Sequence, residues 1–108
     1  MANNQRITQR FNLSLPIQLI FGSQITLAGQ IKDLSLKSAF ITVKSSIHMA
    51  TNDELEFAIP NLPADPKAVI QGSARISRVA AGEGIAIYFT KMDEKSTNLL
   101  QQLIGPGG

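Results

Sequence analysis

Between Leu13 and Phe21 the odd positions Leu13, Leu15, Ile17, Leu19 and Phe21 are apolar, while Asn12, Ser14, Pro16 and Gln18 fall between them. Side chains of an extended chain point alternately to two faces, so this pattern describes a strand with one buried and one wet side. Pro16 belongs to the outward set. It has no amide to give to a ladder, which puts it at an edge or with its missing donor toward solvent. Gly22-Ser23 marks a turn, and Ile25, Leu27, Gly29 and Ile31 carry the alternation into a second strand. Continued unbroken, it would drive Asp33 and Ser35 into the core, where an unpaired carboxylate is heavily penalised. A bend or bulge between Lys32 and Leu36 is therefore expected, turning both side chains outward or onto a rim.

The same reading extends down the chain. Phe40 to Lys44 is a third strand with Ile41 and Val43 on one face, followed by a loop from Ser45 to Asn52. Leu55, Phe57 and Ile59 alternate with Glu54 and Glu56 in a fourth strand that stops at Pro60, and Asn61 to Pro66 is a proline-marked connection. Ile70, Gly72, Ala74 and Ile76 define a fifth strand, whose buried face Arg78 is expected to share near its end. The turn at Ala81 to Gly84 leads to a sixth strand carrying Ile85, Ile87 and Phe89, and the two should pair as a hairpin. Asp93 can cap a helix whose Leu99, Leu100, Leu103 and Ile104 form one stripe, closed by Gly105-Pro106. The expected fold is mainly β: a six-stranded antiparallel barrel with a C-terminal α-helix packed on or plugging one end. The expected boundaries are a flexible arm at 1–11, one domain at 12–104 and a disordered tail at 105–108.

A chain of 108 residues, 44% hydrophobic and 17% charged, suits one globular domain with a single modest core. Its formal charge of +2 argues against a broad polyanion-binding surface, so an anion would be held locally. With one Tyr, no Trp and mostly core-patterned Phe residues, the chain lacks the aromatic platforms of a single-stranded nucleic-acid binder. The absence of cysteine removes disulfide and thiolate chemistry and makes the cytoplasm the expected compartment. The N-terminus is polar, and no apolar run approaches the ~20 residues of a membrane helix, so no membrane insertion is expected.

Chemistry is confined to a few places. His48 is the single histidine and stands in a polar loop, away from any nucleophile and base, so neither catalysis nor a metal site is expected. Gly82 and Gly84 fit a tight hairpin turn better than a phosphate loop. What remains is the set Arg6, Arg10, Asp33 and Ser35. In extended backbone Asp33 and Ser35 share a face and can grip one object. Arginine offers a planar fork to phosphate oxygens or to the O6/N7 edge of guanine, and a carboxylate accepts from the guanine N1 and N2 donors. Together they suit a guanine nucleotide. Arg78 is placed to reach such a ligand from the rim, though a strand-end arginine extending into solvent is the simpler reading. Lys32 and Lys37 add to the local field without an assigned contact.

Arg6-x-x-x-Arg10, then Asp33-x-Ser35-x-x-Ser38, then the strand Gly84 to Phe89 and the terminal helix resemble the bacterial PilZ domain over nearly the whole chain. The resemblance implies a PilZ-like six-stranded barrel that binds cyclic di-GMP. Arg6 and Arg10 would take phosphate and guanine Hoogsteen contacts from the arm, while Asp33 and Ser35 hold the guanine side. Position 38 departs from the family, which usually has glycine there. Ser38 adds a side chain next to the ligand and, if its φ is positive, a strain that glycine would relieve with tighter binding. The implied function is a single-domain receptor that changes shape on binding cyclic di-GMP and signals to an effector protein. The arm would order around the ligand. Other members of the family have lost the motifs and act as nucleotide-free adaptors, for instance in pilus assembly or motility, and this is the alternative reading.

Overall fold

The computed structural model describes residues 14–22, 25–43, 49–63 and 65–105. Six strands, β1 (Leu15–Phe21), β2 (Ile25–Leu34), β3 (Ser38–Thr42), β4 (Glu54–Ile59), β5 (Ile70–Ala80) and β6 (Gly84–Met92), precede one helix, α1 (Glu94–Ile104). All neighbours are antiparallel and the sheet closes on itself in the order β1-β2-β3-β6-β5-β4.

Alternation sets the inside of this barrel. Ile17, Leu19, Ile31, Ile41, Phe57, Ile59, Ile70, Ile76, Ile85 and Ile87 are all nearly inaccessible to solvent. Burying a side chain of this size is worth about 1.5–3 kcal/mol. Pro16 is exposed, as its phase requires. The β1–β4 ladder runs only from Gln18 to Ile20 and stops before it would set Pro16 against Pro60. At the opposite corner, Gly84 lies where β6 crosses β3. A methyl group on its Cα would run into the carbonyl oxygen of Ile41, so the crossing requires glycine.

The helix is tied to the barrel by polar and apolar contacts. Asp93 caps it, its carboxylate accepting the Ser96 amide at 2.7 Å, and Gly105 ends it with φ 99° while its amide donates to the Gln101 carbonyl. Ser96 is buried, and its hydroxyl accepts the amide of Gln71 at the start of β5 at 3.1 Å. Leu100 and Ile104 enter the core, and Leu99 and Leu103 pack at its margin.

Two ladders carry extra residues, three in all. The β2–β3 register shifts between Ile31 and Asp33, leaving Lys32 as the bulge within the interval predicted from the cost of burying Asp33. The β5–β6 register shifts twice, at Thr90 and at Ser77. Neither shift was anticipated, and the second corrects the placement of Arg78. Ile76 faces inward opposite Ile87, but Arg78 comes opposite the half-buried Ala86 and is exposed on the outer face rather than sharing the face of Ile76. The third strand also begins earlier than expected, at Ser38, and ends at Thr42.

Candidate ligand site on the outer wall

The bulges at Lys32 and Ser77 align four residues from four strands. Asp33 is paired with Phe40, Phe40 with Ala86, and Ala86 with Arg78, in one row across β2, β3, β6 and β5. The Ser77 hydroxyl donates to the Ala86 carbonyl at 3.2 Å and so braces its own bulge. Ala86 is small, and across it the Arg78 guanidinium reaches the Phe40 ring, 5.7 Å from its centroid. This cation–π contact covers an aromatic side chain on the outside of the barrel and holds the arginine against the wall. A groove of about 460 Å³ opens along the row, lined among others by Lys32, Asp33, Ser38, Phe40, Arg78 and Glu83. Two cationic and two anionic groups thus face one cavity. Such a lining suits a ligand that carries both N–H donors and negative charge.

The β2–β3 turn is built by Ser35. Its amide donates to the Ser38 carbonyl at 2.8 Å, and its hydroxyl accepts the amides of Lys37 at 3.3 Å and Ser38 at 3.1 Å. The same hydroxyl lies 3.3 Å from the Ser38 carbonyl and 3.2 Å from the Ser38 hydroxyl, the two contacts its single proton can serve. Ser35 is 3% exposed. This corrects the expectation that Asp33 and Ser35 share one extended strand face and grip a ligand together. The strand ends at Leu34, and Ser35 folds inward onto the turn while Asp33 remains half-buried at the groove. A serine can satisfy its hydroxyl within a turn, which offsets the cost of burying it.

Ser38 is an ordinary strand residue opposite Tyr88. Among the described non-glycine residues only Asn52 and Asn61 have positive φ, so the backbone strain considered for serine at position 38 is absent. Its side chain does lie on the groove. The Lys37 carbonyl accepts the Phe89 amide at 2.8 Å, which fastens the turn to β6. Arg6, Arg10 and His48 lie outside the described residues.

Phe40 and Glu83 were missed as site residues by the sequence reading. Phe40 carried a signal, since Ala39-Phe40-Ile41 is a run of three apolar residues and a half-buried strand cannot hide all three on one face. Glu83 stands in a hairpin turn, where a charged residue attracts no notice. Among the described residues no three His, Cys, Asp or Glu side chains come together as a metal site, and no helix is long and apolar enough to cross a membrane.

A closed six-stranded barrel with a terminal helix and a polar groove on its outer wall is the class of module these features define. The PilZ domain family model matches residues 4–105, and the chain belongs to that family. Solved structures share its fold. The inhibitor of motility MotI/DgrA from Bacillus subtilis aligns with a TM-score of 0.75 at 12% identity, over 93% of this chain and 49% of that one, so the chain spans about half of that protein's length. The PilZ domain of CeSA from a cellulose-synthesizing bacterium aligns with a TM-score of 0.68 at 20% identity, over 89% and 94%. The PilZ domain of YcgR from Escherichia coli, with c-di-GMP, gives 0.69 at 15% identity, over 94% and 89%. No curated protein sequence matches the chain significantly.

Proposed function

We propose that this PilZ domain is a non-catalytic cytoplasmic receptor for cyclic di-GMP that changes conformation on binding and signals to an effector protein. The observation that carries this reading is the convergence of Asp33 and Arg78, from strands far apart in sequence, on one groove. Asp33 offers a carboxylate to the N1 and N2 donors of guanine. Arg78, placed over the Phe40 ring, offers a guanidinium plane and fork. Arg6 and Arg10 supply the phosphate and Hoogsteen contacts from the N-terminal arm, Ser35 fixes the turn, and Ser38 touches the ligand from the groove wall. The description of the YcgR PilZ domain with c-di-GMP supports the choice of ligand. Family membership supports a receptor or adaptor rather than an enzyme.

The alternative, a nucleotide-free adaptor in pilus assembly or motility, is favoured by one observation. Ser38 places a hydroxymethyl group on the groove where the family's glycine would leave space. Calorimetric titration of cyclic di-GMP into the chain and into Arg10→Ala and Asp33→Ala separates the two. A receptor binds and loses at least tenfold in affinity in each variant. A parent chain that takes up no nucleotide at millimolar concentration is the adaptor.

A further inference from the structure

One register row beyond the groove, the outer wall carries the chain's single tyrosine. Tyr88 is 39% exposed and lies between Ser38 of β3 and Arg75 of β5. Arg75 in turn faces Glu54 of β4 and donates from Nη2 to its carboxylate. Glu54, Arg75, Tyr88 and Ser38 therefore form a second row beside Asp33, Phe40, Ala86 and Arg78, about 7 Å away along the strands. Ser38 joins the two, because it also lines the groove. Leu36, 38% exposed, stands on the turn that the Lys37 carbonyl fastens to β6 just after Tyr88.

The two rows contrast in how they treat their arginine. Arg78 lies on an aromatic ring, whereas Arg75 is tethered by a carboxylate and keeps a buried Nε with no hydrogen-bond partner. The arginine so tethered is the strand partner of Tyr88, whose ring is partly open to solvent. A flat aromatic face with a cation on the neighbouring strand is a stacking surface for a heteroaromatic base, tolerant of base identity because every base has a π face.

We infer that Tyr88 and Arg75 form a shelf that receives the second purine of a two-base ligand whose first base occupies the groove. The inference rests on the receptor reading and deepens it. A cyclic dinucleotide carries two bases on one ring, and Asp33 can serve only one of them. The second base must meet solvent or the neighbouring surface, and that surface presents Tyr88.

Because the chain has one Tyr and no Trp, every tyrosine signal reports on this shelf. Protein carrying ring-labelled tyrosine is titrated with cyclic di-GMP and, separately, with GMP, following the ring resonances by NMR and the binding heat by calorimetry. Cyclic di-GMP is expected to move the Tyr88 resonances upfield through the ring current of the stacked base. Tyr88→Ser should weaken cyclic di-GMP about tenfold, or ~1.4 kcal/mol, while Tyr88→Phe stays within about twofold. GMP, with one base, should bind the parent and Tyr88→Ser alike. Binding heat from cyclic di-GMP with unmoved tyrosine resonances, or with full affinity in Tyr88→Ser, overturns the shelf and leaves the receptor standing. Absence of binding heat in the parent removes both. Should Tyr88→Ser fail to fold, the parent's resonances decide alone.

Discussion

The β1–β2 ladder and the β2–β3 and β5–β6 ladders belong to one barrel but differ in regularity. From Leu15 opposite Ile31 to Phe21 opposite Ile25 the first runs without a register shift, and along β1 burial follows the alternation of the sequence up to Leu19. The others take in Lys32, Ser77 and Thr90 as extra residues. Regular pairing sends every second side chain inward and so builds core. Irregular pairing changes the phase at one point and leaves the pairs on either side matched, which lets Asp33 and Arg78 face outward on strands that otherwise serve the core. In this barrel the site is made where the ladder breaks.

The largest test of this contrast is deletion of a residue from the regular ladder. Removing Gln18 shifts the preceding stretch by one position, turning Leu15 and Ile17 to solvent and Pro16 inward. With about 1.5–3 kcal/mol per displaced side chain and ~5–15 kcal/mol in total for a domain, the cooperative urea transition should collapse or vanish. A transition close to the parent's would show that the ladder slips freely. Leu19→Ala, in the same strand and fully buried, should lower unfolding free energy by about 2–5 kcal/mol while the folded fraction keeps its affinity for cyclic di-GMP.

On the irregular side the effects move from stability to binding. Asp33→Ala removes a charge-assisted hydrogen bond worth ~1.5–3 kcal/mol, so calorimetry should show at least a tenfold loss of affinity with the melting temperature nearly unchanged. Deleting Lys32 regularises the ladder while Asp33 stays opposite Phe40. Its stability cost should remain within about 2 kcal/mol, yet the altered twist should re-aim Asp33 and impair binding. A Lys32 deletion that binds normally would mean that the bulge is dispensable to the site. Ser38→Gly is the smallest. With no positive φ to relieve, it should change affinity less than about threefold and cost ~0.5–1 kcal/mol of stability for a glycine placed in a strand.

Legibility followed the same division. Alternation and turn residues disclosed the six strands, and Asp93 with Gly105 disclosed the helix ends, because each of these rests on a local rule. The bulge at Lys32 was also legible, through the cost of burying a carboxylate. The bulge at Ser77 was not. Arginine at a strand end can extend to solvent from either phase, so nothing local demanded that Arg78 change sides. Ser35 was placed outward or on the rim, open to a ligand, because the sequence does not show a hydroxyl finding all its partners within its own turn. The groove was illegible as a whole, since it depends on pairing between residues that are distant along the chain.

The self-contained hydrogen bonding of Ser35 bears on the thermodynamics of recognition. The turn between β2 and β3 is ordered by folding itself, through contacts that involve no ligand, so the conformational entropy of that segment is lost before any nucleotide arrives. A preorganised turn presents Asp33 and Ser38 at fixed positions and lets the interaction enthalpy appear almost undiminished as affinity. Ser35→Ala would leave the groove lining chemically intact. Its deficit should emerge as a more unfavourable binding entropy, with the heat of binding preserved, which is the signature of a residue that acts by holding other residues still.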